Sequence, residues 1–304
     1  MQIKEDKTKQ QALSNPFQFP DADIIIRARG VDFRVHKLIL SHASTGFEDK
    51  FSLPPISRES IPVIEVPEDA QTMHDVLSLI YRNTDPVDLD NITTLRRVLV
   101  ALRKYSMDNL RSIVGRVLQT HINSDPIRVF AIACIVNGRE IARLAAKETL
   151  KLEFGQILDY DVPEVNQIRA GTFRKLLLYH RKCGDLASQT IRAHASKCPV
   201  TYHASKSART VENAYVDCRQ WWTEYVERMG EDAKSHPILP DYGGTELVRG
   251  FCDLTVTKRC YTCSPIASLT LIQLGERVEQ EVRAALENVG VGLDDDDFSI
   301  QRLS

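Results

Sequence analysis

Hydrophobic and polar positions alternate most legibly between residues 21 and 53. Ile24, Ile25 and Ile26 form a short continuous apolar run of β-branched residues, the pattern of a strand covered on both faces. A turn follows at Arg29-Gly30. Beyond it Val31, Phe33 and Val35 alternate with Asp32, Arg34 and His36, which predicts a second strand with one face to the core, so that the two strands form a hairpin. From Lys37 the period changes. Leu38, Ile39 and Leu40 lead to Ala43, and Phe47 and Phe51 lie four apart on one helical face, predicting two short helices with their apolar residues in place. Ile61, Val63, Ile64 and Val66 signal a third strand, which Pro62 confines to a sheet edge or a strand start.

Three amphipathic helices are predicted next. Their stripes are Met73, Val76, Leu77, Ile80 and Tyr81; then Leu95, Val98, Leu99 and Leu102; then Leu110, Ile113, Val114, Val117 and Leu118. Asp69 and Asn91 stand where N-caps are expected, and Pro86 and Pro126 lie outside the stripes. Strands first and helices afterwards predict an α+β domain with helices gathered on one side of a small sheet.

This order of elements carries a resemblance. Asp23 with the following isoleucines, Phe33-Arg34-Val35-His36-Lys37, and Leu40, Ser44, Phe47 and Phe51 resemble the signature of the BTB/POZ domain over roughly residues 20–122. The wording around them, with Val66-Pro67-Glu68-Asp69, resembles BTB proteins of the type expanded in mushroom-forming fungi. The resemblance implies a BTB/POZ fold that forms homodimers through its first strand and first helices, a closed two-fold contact. It also implies engagement of a cullin scaffold, through which such a protein delivers client proteins for ubiquitination. Metazoan adaptors carry an apolar-x-Glu element before the helix that starts here near Asn91; this chain reads Asp85-Pro86-Val87-Asp88-Leu89-Asp90, without a glutamate. By resemblance Asp23, His36 and Lys37 line a dimer or partner groove. The alternative is a hydrogen bond or ion pair that fixes the hairpin against the first helix, since a buried acid must be paired.

Behind residue 122 the pattern stays helical. Ile127, Phe130, Ala131, Cys134 and Ile135 follow Asp125-Pro126, a favourable helix start, and Asn137-Gly138 separates them from a second stripe at Ile141, Leu144, Ala145 and Thr149, predicting an αα-hairpin. This resembles the BACK extension that follows many BTB domains. A further helix is expected over residues 173–179 after a Gly171-Thr172 start. Later helices are expected around Trp221, Trp222, Tyr225 and Val226, around Leu247, Val248, Phe251 and Leu254, and along Val278, Val282, Ala285, Leu286 and Val289. The aromatic pair reads as core packing, with a peptide-binding surface as the alternative. The expected organisation is a flexible tail over 1–19, the BTB/POZ domain over 20–122, a BACK-like extension over 123–200, a helical region over 201–293 and a solvated, disordered acidic tail over 294–304.

Composition narrows the partners. The 304 residues carry 39 Lys and Arg against 41 Asp and Glu, a net charge of −2, so there is no electrostatic case for nucleic acid. Residues 1–15 lack an apolar core of a signal peptide and no stretch approaches the roughly 18 apolar residues that span a bilayer, so the expected setting is cytoplasm or nucleus, with no membrane partner. Seven cysteines, all from Cys134 onward, argue against a disulfide framework in such a chain.

The cysteines pose one chemical question. Cys260-x-x-Cys263 has the spacing of half a zinc site, and Cys198 with His203, or Cys183, could supply the rest. The alternative is ordinary reduced thiols, because no second C-x-x-C completes the set. No nucleophile elbow, phosphate loop, dinucleotide fingerprint or H-E-x-x-H occurs, and His74, His121 and His180 fall on or beside helix stripes as structural histidines. The expectation is a protein-binding, dimerising chain without catalytic residues or cofactor. A transcriptional co-regulator without a ligase link is the alternative, and a zinc-dependent enzyme using the cysteines is the reading from another class.

Overall fold

Arg29 and Gly30 both take positive φ, +45° and +86°, the backbone of a two-residue hairpin turn whose twist matches the strands on either side. In this computed structural model the turn joins β1, Ile24–Ala28, to β2, Val31–Val35, with Ile24 opposite Val35 and Ile26 opposite Phe33. The structure describes residues 15–52, 61–82, 86–195, 218–242 and 264–298. The chain divides into two units, Met1–His121 and Ile122–Ser304.

In the first unit β3, Val63–Val66, pairs parallel with β1, giving the sheet order β2-β1-β3. Pro62 stands just before it and accepts the Ile25 N–H through its carbonyl, a place where its own missing N–H costs nothing. β1 corrects the expectation of a strand covered on both faces. Ile24, Ile26 and Ala28 are buried while Ile25 and Arg27 are half-exposed, so among the described residues only one face of the strand is fully covered.

The expected flexible tail over 1–19 is also corrected at its end. Phe17 is fully buried against Phe33, His74 and Tyr81, with ring centroids 6.1, 5.5 and 5.7 Å away. The Arg34 N–H donates to the Phe17 carbonyl at 2.8 Å, so residues 17–19 run along the outer edge of β2. An aromatic side chain with its own pocket in the core anchors this segment.

Two short helices follow, α1, Lys37–Ala43, and α2, Thr45–Phe51, jointed at Ser44. The Ser44 hydroxyl accepts the Phe47 N–H at 3.0 Å and donates to the Tyr105 carbonyl, while the Phe47 ring stacks on Tyr105 at 4.6 Å. Then come α3, Ala70–Tyr81, α4, Ile92–Lys104, and α5, Asp108–Thr120. Asp69 and Asn91 cap α3 and α4 as their positions predict, accepting N–H groups of the first turn. All four predicted α4 positions are buried; on α5 Val114 and Leu118 are buried but Ile113 is 44% exposed. Arg97 reaches from α4 to Asp75 at 3.2 Å and Thr72 at 3.1 Å, tying the two helices by charge-assisted bonds.

The second unit opens with the predicted hairpin, α6, Pro126–Ile135, and α7, Arg139–Glu148, separated by Asn137 at φ +58°. After the short α8, Phe154–Leu158, comes α9, Ala170–Arg192, whose 23 residues far outrun the stretch expected from its leucines. It packs against α10, Cys218–Ser235, and α11, Ser264–Glu287. At the α9–α10 crossing a Cβ on Gly184 would lie 2.2 Å from the Lys234 carbonyl oxygen, so only glycine permits this approach. Val226 on α10 and Val278, Val282 and Leu286 on α11 are buried as expected. The side chains of Trp221 and Trp222, and the helix expected around Leu247, Val248, Phe251 and Leu254, lie outside the described residues.

The expectation of a solvated, disordered tail over 294–304 is corrected for residues 295–298 only: Asp294, Asp295 and Asp296 are exposed, and 299–304 lie outside the described residues. Residues 295–298 form a 3-10 turn in which Asp297 and Phe298 are buried, and the Lys175 ammonium binds Asp294 and Asp297 at 2.7 Å each. The described parts of the expected extension, C-terminal region and acidic segment fall in one compact unit, Ile122–Ser304.

Candidate protein-interaction surface

Asp23, His36 and Lys37 meet where β2 passes into α1. The Asp23 carboxylate accepts the Lys37 backbone N–H at 2.7 Å, satisfying one of the unpaired donors at the start of α1. Asp23 is exposed rather than a buried acid, and it works here as a cap supplied from across the hairpin. His36 donates its backbone N–H to the Tyr81 hydroxyl at 2.9 Å, keeps Nδ1 3.1 Å from the same oxygen, and places Nε2 3.2 Å from Asp21. Its ring packs against Phe19 with centroids 5.0 Å apart. Burial, with the nearby Asp23 and Asp21 charges, pushes the Tyr81 phenol up, and the hydrogen bond from His36 holds the Asp21 carboxyl below its ordinary value. These side chains lock the start of α1 to the end of α3.

What they hold in place is an apolar surface. Leu40 of α1 is fully buried, so Leu38, two positions earlier on a 3.6-residue helix, points away from the core and is 81% exposed. Ile39 beside it is 36% exposed. Together they edge a cleft of about 530 Å³ floored by Leu79, Ile80 and Leu110 and rimmed by His42, Arg82 and Asn109. Among the described residues this seven-residue helix, apolar on opposite sides, buries one side in its own domain and leaves the other exposed. The apolar pattern places Leu38, Ile39 and Leu40 together on this helix without separating an inward from an outward face. The signal available was that three consecutive apolar residues cannot share one face of a two-turn helix.

The cysteine question divides. Cys198, His203, Cys260 and Cys263 lie outside the described residues. Cys183 is buried on α9, where burial pushes its thiol up to about 11, and Cys134 on α6 is pushed up to about 12 by burial and the Asp297 charge. Burial thus disfavours the thiolate at both positions. Among the described residues no group of three or more His, Cys, Asp or Glu could hold a metal ion, and no helix is long and apolar enough to cross a membrane. His180 is a buried structural histidine whose Nε2 lies 3.0 Å from the Leu152 carbonyl.

Comparison with known proteins agrees with the fold of the first unit. No curated protein matches the chain. The family model of the BTB/POZ domain matches residues 12–122, a span that takes in the three-stranded sheet, helices α1–α5 and the Phe17 segment. Residues 12–122 are thus a BTB/POZ domain, a protein-interaction domain followed in this chain by a second, helical unit.

Proposed function

We propose that the chain self-associates through the outward face of α1 and brings partner proteins together, acting by binding rather than catalysis. The observation that carries this reading is Leu38, 81% exposed beside Ile39 on the rim of an apolar cleft. A two-fold contact places the same helix on both sides. Burying one leucine side chain contributes about 2 kcal/mol, and symmetry counts it twice. Light scattering on the full chain tests it. The expected result is a dimer at micromolar concentration that Leu38→Asp with Ile39→Asp converts to a monomer of unchanged helical circular dichroism. A monomer at every concentration up to about 100 μM, where Kd would correspond to only about −5.5 kcal/mol, sinks the proposal.

A second reading is favoured by the α6–α7 hairpin that begins at Pro126, a few residues after α5 ends. Helical support behind a BTB domain suits a substrate adaptor of a cullin-type ubiquitin ligase, with client proteins held by the second unit. The absence of a glutamate from Asp85 to Asp90 favours instead a scaffold or transcriptional co-regulator without a ligase link. Calorimetric titration against the N-terminal domain of a BTB-binding cullin separates them. Binding near about 1 μM, worth about −8 kcal/mol, supports the adaptor. No heat from a folded dimer supports the scaffold. Either role places the protein in the cytoplasm or nucleus.

A further inference from the structure

Residues 294–298, Asp-Asp-Asp-Asp-Phe, lie in a seat built from the starts of two helices. Arg139 is the first residue of α7, and Thr172 and Lys175 belong to the first turns of α9. Lys175 Nζ lies 2.7 Å from both Asp294 Oδ2 and Asp297 Oδ2, and the Thr172 hydroxyl donates to Asp297 Oδ1 at 2.7 Å. Arg139 meets Asp295 at 2.5 Å and also sits over the Phe298 ring, 5.2 Å from its centroid. Phe298 is 4% exposed. Two cations, a hydroxyl donor and a ring contact therefore converge on one short acidic-aromatic segment.

The elements of the seat are also held by contacts that do not involve the occupant: residues Thr149–Lys151, directly after α7, pack on α9, where His180 Nε2 lies 3.0 Å from the Leu152 carbonyl. Arg139 stands on the α6–α7 hairpin, and Thr172 and Lys175 on α9, which α10 and α11 hold in place. The occupant is joined to α11 by a short link with glycines at 290 and 292. Beside the buried Thr172–Asp297 bond and the Phe298 ring, its charge contacts run through Arg139 and Lys175, 48% and 32% exposed, where salt weakens pairing. A basic seat filled by a tethered acidic segment is the arrangement of a docking site occupied in cis.

We propose that the Arg139–Thr172–Lys175 surface is a docking site for a partner's acidic segment ending in an aromatic residue, covered in the resting chain by its own residues 294–298. This site is separate from the α1 face and does not rest on self-association. Tethering gives the chain's own segment an effective concentration on the order of millimolar, so a partner must match its acid spacing and its ring to displace it.

Fluorescence polarisation with a labelled peptide of residues 288–298 tests the proposal. The full chain carrying Asp297→Asn and Phe298→Ala is expected to bind the peptide at least about tenfold more tightly than the unaltered chain, since the internal competitor is weakened. Adding Lys175→Glu should abolish that binding. If the double variant does not fold, Phe298→Ala alone serves. A folded variant that binds no better than the unaltered chain, or binding indifferent to Lys175→Glu, overturns the proposal. Dimers of the unaltered chain that excess peptide splits would also overturn it, by assigning the site to a second copy.

Discussion

The Asp23 carboxylate and the Lys37 backbone N–H, 2.7 Å apart, join the approach to β1 to the first residue of α1. A cap needs an acceptor oxygen and not a charge. Asp23→Asn should therefore leave stability within about 0.5 kcal/mol, while Asp23→Ala should cost about 1 kcal/mol. Urea unfolding of both variants decides the matter. A full loss in Asp23→Asn would show that the charge itself contributes to holding the start of α1.

Gly184 offers a contrast with Gly171 on the same helix. A Cβ at 184 meets the Lys234 carbonyl at 2.2 Å, whereas nothing lies within 4 Å of one at 171. Gly184→Ala should force α9 and α10 apart and cost roughly 1–3 kcal/mol, as overpacked cores do. Gly171→Ala should be neutral or gain up to about 1 kcal/mol from helix propensity. Thermal melts of the two single variants provide the comparison.

Arg29 occupies a backbone region that arginine tolerates poorly, at φ +45° on an exposed turn. Asparagine enters this region more readily and is favoured before glycine in two-residue hairpin turns. Arg29→Asn is expected to raise stability by about 0.5 kcal/mol or more, seen as a higher urea midpoint at unchanged slope.

His180 should make the second unit acid-sensitive. Its burial lowers the imidazole pKa, although the Leu152 and Thr149 carbonyls oppose the shift. The unfolded chain then takes up the proton first as pH falls. The stability due to this group is complete above the ordinary histidine value of about 6.5 and declines from there down to the lowered folded value. Melting temperatures between pH 7.5 and 5 should fall less steeply for His180→Gln. Parallel slopes in the two proteins would mean that His180 contributes no linkage.

Local chemistry made much of the first unit readable. Asp69, Asn91 and Asp125 cap the helices they precede, and Leu95, Val98, Leu99 and Leu102 all point inward. What escaped was decided at long range. Phe17 reads as the end of a polar stretch until Phe33, His74 and Tyr81 are brought around it. The stripe of α9 runs through Tyr179, His180, Cys183, Gly184 and Ala187, small or polar residues that carry little hydrophobic signal. Asp297 is buried because Thr172 and Lys175, more than 120 residues earlier, satisfy it. For the α1 face the deciding fact is negative: among the described residues nothing covers Leu38, and helix geometry says that the three neighbouring apolar residues cannot all turn inward without saying which one turns out.

The Phe17 segment also fixes where this domain can be cut for laboratory work. A fragment begun at Pro20, where the strand pattern starts, would lose the ring that fills the space between sheet and α3 and would bare the N–H and C=O groups along β2. An emptied aromatic site costs about 3–5 kcal/mol, and a bared strand edge invites pairing between molecules. Such a fragment would be prone to clump for reasons unrelated to its natural associations, and a start several residues before Asn15 avoids that artefact.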